Sequence, residues 1–282
     1  LEVDGDLKVT GNIQAGTIDS LQQIITELQT QIIAMQAQIN YLSAQLGYTD
    51  CSGVIGGNAQ TDQCGICNGD GTECIVTDID GNSYNFIQIG TQIWMTENLD
   101  TKHFKNGDSA MYYNYDNNEL YSNTFGLLYT WVVIGDTRGI CMEGWHVPSD
   151  DEWIILEEYL GMCSGYGDDD EVGNECNDCC TNDYGHRGYN EDIGNQLKSS
   201  ESSHWNEDNN GTDDWGFHAA GAGRWNVTVG EFANLMEDGY YWTTTYIDVN
   251  NSTARKLTAG SSGVFRDNYN PSHGFSIRCV QD

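Results

Sequence analysis

Residues 18–46 place the tightest constraint on this chain. Ile18, Ile25, Ile32, Ile39 and Leu46 recur at every seventh position, and Leu21, Leu28, Met35 and Leu42 fall between them. This is an unbroken a/d heptad, which predicts a parallel coiled coil whose narrow apolar seam is buried only against other copies of itself. Isoleucine at a with leucine at d favours two strands. The flanking e and g positions are mostly glutamine (Gln22, Gln29, Gln31, Gln36, Gln38, Gln45) and lack the charge pairs that secure dimers, while Ile24 at g widens the apolar face. The expectation is a homotrimer, with a homodimer as the alternative.

Ahead of the helix, residues 1–17 read LEVDGDLKVTGNIQAGT, short alternating apolar runs punctuated by glycine. They are too short to form a core of their own and predict a shaft segment packed on its own copies or on a preceding domain. This layout resembles the shafts of trimeric viral and bacterial surface fibres.

The ten cysteines fall in two clusters, Cys51, Cys64, Cys67, Cys74 and Cys163, Cys176, Cys179, Cys180, with Cys141 and Cys279 apart. Each cluster is expected to form disulfides among its own members. Residues 47–76, a neck module, are too small for a core and need such cross-links. The stretch resembles the Cys/Gly/Asp repeats of bacterial surface proteins, with Ile55 where a further Cys often stands. A four-Cys zinc site is the competing reading of this module, weakened by its single C-x-x-C, Cys64-Gly-Ile-Cys67.

The main domain is expected over 77–282. In GWHVPSDDEWIILEEYL, Pro148 stops the preceding strand, Ser149 and Glu152 form a capping box, and Asp150 and Asp151 suit the positive end of the helix dipole. Trp153, Leu156 and Leu160 supply the helix's buried stripe, and Gly161 ends it. Asp78-Ile-Asp80-Gly81-Asn82 starts like an EF-hand loop, but Ile89 stands at the twelfth position, so a turn is expected there. Gly90 then marks a hairpin in IQIGTQIWM.

GWHVPSDDEW, the upstream DIDGNSYNFIQIGTQIWMTENL and the terminal GFSIRCV resemble the Fibrobacter succinogenes major paralogous domain. That family resembles a branch of the C-type-lectin-like fold, related to formylglycine-generating-enzyme domains and to the variable proteins of diversity-generating retroelements. The resemblance implies an α+β, C-type-lectin-like head behind the stalk, and a Cys141–Cys279 disulfide. Closing so long a loop contributes about 4–5 kcal/mol in the chain-entropy model. If the variable proteins are a guide, ligand contacts come from the segment before the last strand. Here those are Tyr246, Asp248, Asn250, Ser262, Phe265, Arg266, Asp267, Asn268, Tyr269, Asn270 and His273. Asn and Ser offer adaptable hydrogen bonds and Tyr offers rigid contact area.

Residues 162–189 depart from the family pattern as a Cys/Asp-rich insertion, in which Asp168, Asp169, Asp170 and Glu171 offer hard oxygen ligands for calcium. Tyr112, Tyr113, Tyr115 and Tyr121 fit either sugar stacking or the core of a loop-rich domain. Trp205, Trp215, Phe217, Trp225 and Trp242 are expected in the core or just outside it. Sequons place possible glycans at Asn210, Asn226, Asn250 and Asn251.

Composition narrows the function. Forty-three Asp and Glu against 11 Lys and Arg give a net charge of −32, which repels nucleic acids and anionic surfaces. No apolar run approaches the ~18 residues that a membrane span requires. The chain carries no P-loop, dinucleotide fingerprint, G-x-S-x-G elbow or zinc-hydrolase His pair. Nor does it carry the catalytic cysteine pair of formylglycine-generating enzymes or the calcium–sugar motif of true C-type lectins. The expectation is a non-enzymatic, extracellular fibre or adhesin subunit, at a cell or virion surface, whose heads bind a surface glycan or protein receptor. A filament or surface-layer subunit packing on neighbouring subunits is the alternative, and a secreted glycan hydrolase with a hidden carboxylate pair is third.

Overall fold

The computed structural model describes residues 15–45, 49–54, 57–62, 64, 67–69, 74–163, 184–188 and 190–282. Within these, the chain divides into two units, 1–62 and 63–282.

In the first unit, helix α1 (Ala15–Gln45) covers the heptad run. It starts three residues early, so Ala15–Thr17 are helical and not part of a β shaft; residues 1–14 lie outside the described residues. The described seam residues Ile25, Leu28, Ile32, Met35, Ile39 and Leu42 are each 52–60% exposed. Leu46 and the side chains of Ile18 and Leu21 lie outside the described residues. Farther along, the Asp50 carboxylate accepts hydrogen bonds from the backbone N–H of Ser52, Val54 and Ala59 and from the Ser52 hydroxyl. The Ser52 hydroxyl first, then these N–H groups, hold its pKa below the usual carboxylate value.

The second unit is an α+β domain, rich in strands. Its Cys64, Cys67 and Cys74 are disulfide-bonded, Cys64 to Cys74, as is Cys51 of the first unit. Strands β1 (Ile75–Thr77), β2 (Ser83–Ile89) and β3 (Gln92–Met95) form antiparallel hairpins. The β1–β2 turn is tied by Asp78, whose carboxylate accepts from the backbone of Asp80 and Asn82 and from the Tyr84 hydroxyl. Gly90 takes φ +62° at the β2–β3 turn. A small ladder joins β4 (Tyr112–Tyr113) to β5 (Leu128–Tyr129), flanked by the single-turn helices α2 (Ser122–Phe125) and α3 (Trp131–Ile134).

Strand β6 (Trp145–His146) leads into helix α4 (Asp150–Tyr159). The Ser149–Glu152 capping box is formed, and Trp153, Leu156 and Leu160 are buried. The last strand, β13 (Val280–Gln281), inserts between β3 and β6 and completes a five-stranded sheet in the order β1-β2-β3-β13-β6. Cys141 and Cys279 are bonded, so the chain's end is tied covalently to the segment before α4.

The second sheet is larger. It comprises β7 (Gly185–Arg187), β8 (Ala222–Asn226), β9 (Glu231–Leu235), β10 (Asp238–Asp248), β11 (Asn251–Thr258) and β12 (Val264–Tyr269). Their order is β7-β12-β11-β10-β8-β9. Short helix α5 (Ile193–Leu197) precedes the long loop 198–218.

Because strand side chains alternate between faces, the sheet feeds two cores. Tyr240, Trp242 and Ala254 join one with Phe275, Ile277 and the Cys141–Cys279 pair. Tyr241, Leu257 and Val264 join the other with Trp94, Trp153, Trp205 and Phe217. Of the expected core aromatics, Trp205, Phe217 and Trp242 are buried, while Trp215 is 36% exposed and sits edge-on against Tyr159. Trp225 is half-buried and stacks on Tyr113.

Helix α4 is fastened to this sheet by charge. Glu157, with no exposed surface, accepts from Arg187 Nη2 at 3.0 Å and from Arg255 Nε at 2.7 Å. Asp150 accepts from Arg255 Nη1 and Arg266 Nη2, both at 2.5 Å. Three guanidiniums and two carboxylates are thus removed from water together.

Candidate functional site

The segment expected to carry the ligand contacts is strand rather than loop. The β10–β11 hairpin holds Tyr246, Asp248 and Asn250 at its exposed end. There Tyr246 packs on Trp131 with the rings tilted and 4.8 Å between their centroids, and Asp248 accepts from the backbone of Asn250 and the amide of Asn251. Strand β12 pairs with β11 through Lys256↔Phe265, Arg255↔Arg266, Ala254↔Asp267, Thr253↔Asn268 and Ser252↔Tyr269.

Alternation splits the expected residues. Phe265, Asp267 and Tyr269 share one face with Lys256 and Tyr240; Arg266 and Asn268 point to the other. Arg266 is buried on Asp150, and Asn268 accepts from the Thr253 hydroxyl. His273 is also buried; its Nδ1 accepts from the Val227 N–H and its ring stacks on Phe275. Arg266, Asn268 and His273 therefore leave the candidate surface, because internal partners occupy them. Ser262 is half-buried and its carbonyl accepts from Gly194 N–H. Asn270 remains exposed.

On the retained face, Phe265 lies between His186, stacked at 4.3 Å, and the Lys256 ammonium at 4.1 Å. Tyr269 meets Phe275 and Tyr240 edge-on. The Arg224 guanidinium lies 5.2 Å from the Tyr240 ring centre, and its buried Nε has no hydrogen-bond partner. Burial first, then the charge of Asp267, pushes the Tyr269 hydroxyl well above its usual pKa, so it is a neutral donor at physiological pH.

Beside this face opens a cavity of about 700 Å³, whose polar lining includes Asn206, Asp208, Asn234, Glu237, Asp238 and Lys256. Three carboxylates around one ammonium make it a poor place for an anion and a good one for neutral hydroxyl donors. Asp238 is braced by the hydroxyls of Tyr240 and Thr258. The β9–β10 turn that contributes Asn234 and Glu237 is strained: Asn234 has φ +67° and Met236 φ +61°. A left-handed methionine is costly and held only where surrounding structure imposes it, as is common at binding sites. Behind the lining residues Thr258 and Ala259 lies Lys198, fully buried, whose Nζ donates to their carbonyls, to that of Ser261 and to Asn210 Oδ1 at 2.5–2.8 Å.

A smaller cavity of about 240 Å³ lies beside Cys141, lined by Asp78, Thr101, His103, Lys105 and Glu143 among others. Its floor is disulfide and core, and it lacks the convergent amides of the larger one.

The tyrosine run serves packing. Tyr113, Tyr115 and Tyr121 cover a third core of Phe125, Leu128, Ala220 and Ala222, and Tyr112 packs on the first. Of the sequon residues, Asn210 is exposed but its Oδ1 is taken by Lys198; Asn226 and Asn251 are half-buried, and Asn250 is exposed.

Cys163 is a half-buried free thiol. Its expected partners Cys176, Cys179 and Cys180, and the calcium candidates Asp168, Asp169, Asp170 and Glu171, lie outside the described residues. Among the described residues, the side chains that converge closely enough to hold a metal ion are Glu201, His204 and His218. No sequence motif marked these, nor the cavity residues Asn206, Asp208, Asn234, Glu237 and Asp238.

The fold and the site define a disulfide-closed α+β domain that presents a polar cavity beside an aromatic sheet face. Residues 87–281 match the family described as the Fibrobacter succinogenes major domain, and the chain belongs to that family. No curated protein and no solved structure gives a significant match. No helix among the described residues is long and apolar enough to cross a membrane.

Proposed function

We propose that the protein is an extracellular, homotrimeric fibre or adhesin subunit, in which C-type-lectin-like heads behind a coiled-coil stalk bind a neutral surface glycan or a hydroxyl-rich patch of a receptor. The observation that carries the ligand class is the larger cavity, where amides and carboxylates converge with Lys256. Carboxylates and amides bind sugar hydroxyls in pairs. The observation that supports assembly is the α1 stripe, whose six described seam residues are more than half exposed in a single chain. Burying them between copies is the standard fate of such a stripe. Three heads on one stalk then turn weak single-site binding into avidity.

A glycan array with the intact protein tests the ligand. Tyr269 is an unsuitable probe, since its ring packs on Phe275 and its loss disturbs the core. Asn206→Ala and Glu237→Ala remove cavity-lining groups together with their contacts to the Asp208 N–H and the Asn234 amide, Lys256→Ala removes the ammonium shared by cavity and face, and Asp267→Ala changes the open face. Loss of array binding in the first pair, with an unchanged melting temperature, supports the cavity as the site. Full retention in all four refutes it. Light scattering gives the assembly state, a trimer being expected, and a chelator arm reports whether calcium on the acidic insertion holds it.

The filament reading has one observation in its favour. Tyr246, Ile247 and Val249 at the end of the β10–β11 hairpin, together with Val132, are exposed apolar residues at one edge of the head. Open-ended polymers that an Ile247→Asp, Val249→Asp variant abolishes would move the weight to that reading.

A further inference from the structure

We propose that Glu201, His204 and His218 form a binding site for one divalent transition-metal ion of the zinc class, with Asp213 as its outer-shell partner. The three residues sit on the loop 198–218 and contribute two imidazoles and one carboxylate. Their candidate ligand atoms all lie within 4.8 Å of one another. His218 Nε2 stands 3.4 Å from Glu201 Oε1. Two ligand atoms about 2.05 Å from a tetrahedral zinc are about 3.3 Å apart, so this pair already spans one edge of the coordination polyhedron. The His204 and His218 rings meet edge-on with centroids 4.9 Å apart.

The outer shell is that of a metal site. Asp213 Oδ2 lies 2.6 Å from His218 Nδ1, and Asp213 Oδ1 accepts from the His218 backbone N–H at 2.8 Å. A carboxylate on Nδ1 fixes the tautomer that leaves Nε2 free to ligate and raises its basicity, the usual arrangement behind a metal-bound imidazole. Ser199, fully buried, ties the three residues together: its Oγ lies 2.8 Å from His204 Nδ1 and 3.5 Å from His218 Nε2 and accepts from the Glu201 backbone N–H. Both Asp213 and His218 hold φ near +55° (+53° and +59°), a cost that orients the second imidazole toward the first. Arg278, the cation beside the cluster, directs its Nη1 and Nη2 donors to the carbonyls of Phe217 and His218 and to Asn98.

The donor set selects the metal class. Two imidazoles and one carboxylate suit zinc, cobalt, nickel or copper and are wrong for calcium, which takes six to eight oxygens. Three protein ligands leave the fourth position to water or to a ligand from outside. The loop is pinched at its base, where Ser199 N–H donates to Ala219 and Ala219 N–H to Leu197. A metal there clasps the stretch that carries Asn206 and Asp208 to the larger cavity.

The test uses the intact, oxidised protein with its free thiol alkylated, stripped by chelator and titrated with Zn2+ against a chromophoric indicator in excess Ca2+. One equivalent per chain is expected at micromolar zinc, with a rise in melting temperature. Glu201→Gln and His204→Gln should lose that equivalent, as should His218→Asn, chosen because asparagine tolerates the left-handed backbone. Asp213→Asn should weaken binding by about 10–100-fold. Glu201 is largely exposed, so its substitution leaves the fold intact and keeps the test decisive. No uptake by the parent protein, or parent-like affinity in Glu201→Gln and His218→Asn, overturns the proposal.

Discussion

Replacing Glu157 by Gln should cost the head more than any other single-atom-scale change. The carboxylate has no exposed surface and is shared by Arg187 and Arg255, with contacts of 3.0 Å and 2.7 Å. The native network sets three guanidiniums against two carboxylates; the variant sets three against one, Asp150. Glutamine keeps the shape, and one oxygen can still accept, but two buried cations lose their shared counter-charge. Removing one partner of a buried pair costs about 3–5 kcal/mol, a large part of the ~5–15 kcal/mol by which domains are stable. For a domain of about 200 residues, where 1 kcal/mol moves the midpoint by about 2–4 °C, melting should fall by roughly 6–20 °C. Differential scanning calorimetry at neutral pH with the disulfides intact measures it. Adding Arg187→Met should recover part of the loss, because one of the stranded cations goes with it. A loss under about 1 kcal/mol, or strict additivity in the double variant, would refute the view that charge fastens α4 to the larger sheet.

The pH dependence should have two arms. Burial alone would raise the Asp150 carboxyl, but hydrogen bonds from Arg266 and the charge of Arg255 outweigh it and hold the pKa below normal. Its contribution is present above the ordinary carboxylate range and lost as pH falls through the depressed folded value; the acid limb of a urea-midpoint profile should flatten in Asp150→Asn. His146 is the reverse case: burial lowers it, yet hydrogen bonds to Asp282 and Glu152 bring it above its usual value. Its contribution is complete below about 6.5 and is lost as pH rises through the higher folded pKa, so His146→Gln should remove that part of the slope. Converting Cys141 and Cys279 together to serine should cost up to about 4–5 kcal/mol by chemical denaturation. It should also speed amide exchange in β13, which the disulfide anchors; parent-like exchange would show that strand pairing alone holds the chain's end.

Local rules made the first half of the head readable. The Ser149–Glu152 box, the Gly90 turn and the Trp153–Leu156–Leu160 stripe are each set within a few residues, and each appears where the sequence places it. The disulfide between Cys141 and Cys279 followed from family likeness, since nothing local joins residues so far apart. Glu157 was opaque for a related reason. On a helix ending in DDEWIILEEYL it reads as a solvated acid, and only Arg187 and Arg255, from β7 and β11, make it a core residue. The cavity and the Glu201–His204–His218 cluster were illegible for the same cause. Their members are drawn from a loop, a strained turn and the edges of strands, and no spacing in the chain announces their meeting.

The segment before the last strand shows how composition and register pull apart. Asn, Asp, Ser and Tyr made residues 246–273 look like one exposed recognition loop, but β11 and β12 run through it in the interior of a six-stranded sheet. A strand offers any surface only every second side chain, about 6.8 Å apart. Phe265, Asp267 and Tyr269 satisfy that spacing, and Arg266 and Asn268 are spent on the opposite face. Variation along β12 is thus freest at the exposed Asp267, while Phe265 and Tyr269 are held by ring contacts and the even positions are tied on the opposite face. A binding surface here gains its breadth sideways, from Lys256 and the larger cavity across neighbouring strands, and not by lengthening the segment. If this face binds as proposed, recognition would rest on a rigid platform, with little entropy lost when a ligand docks.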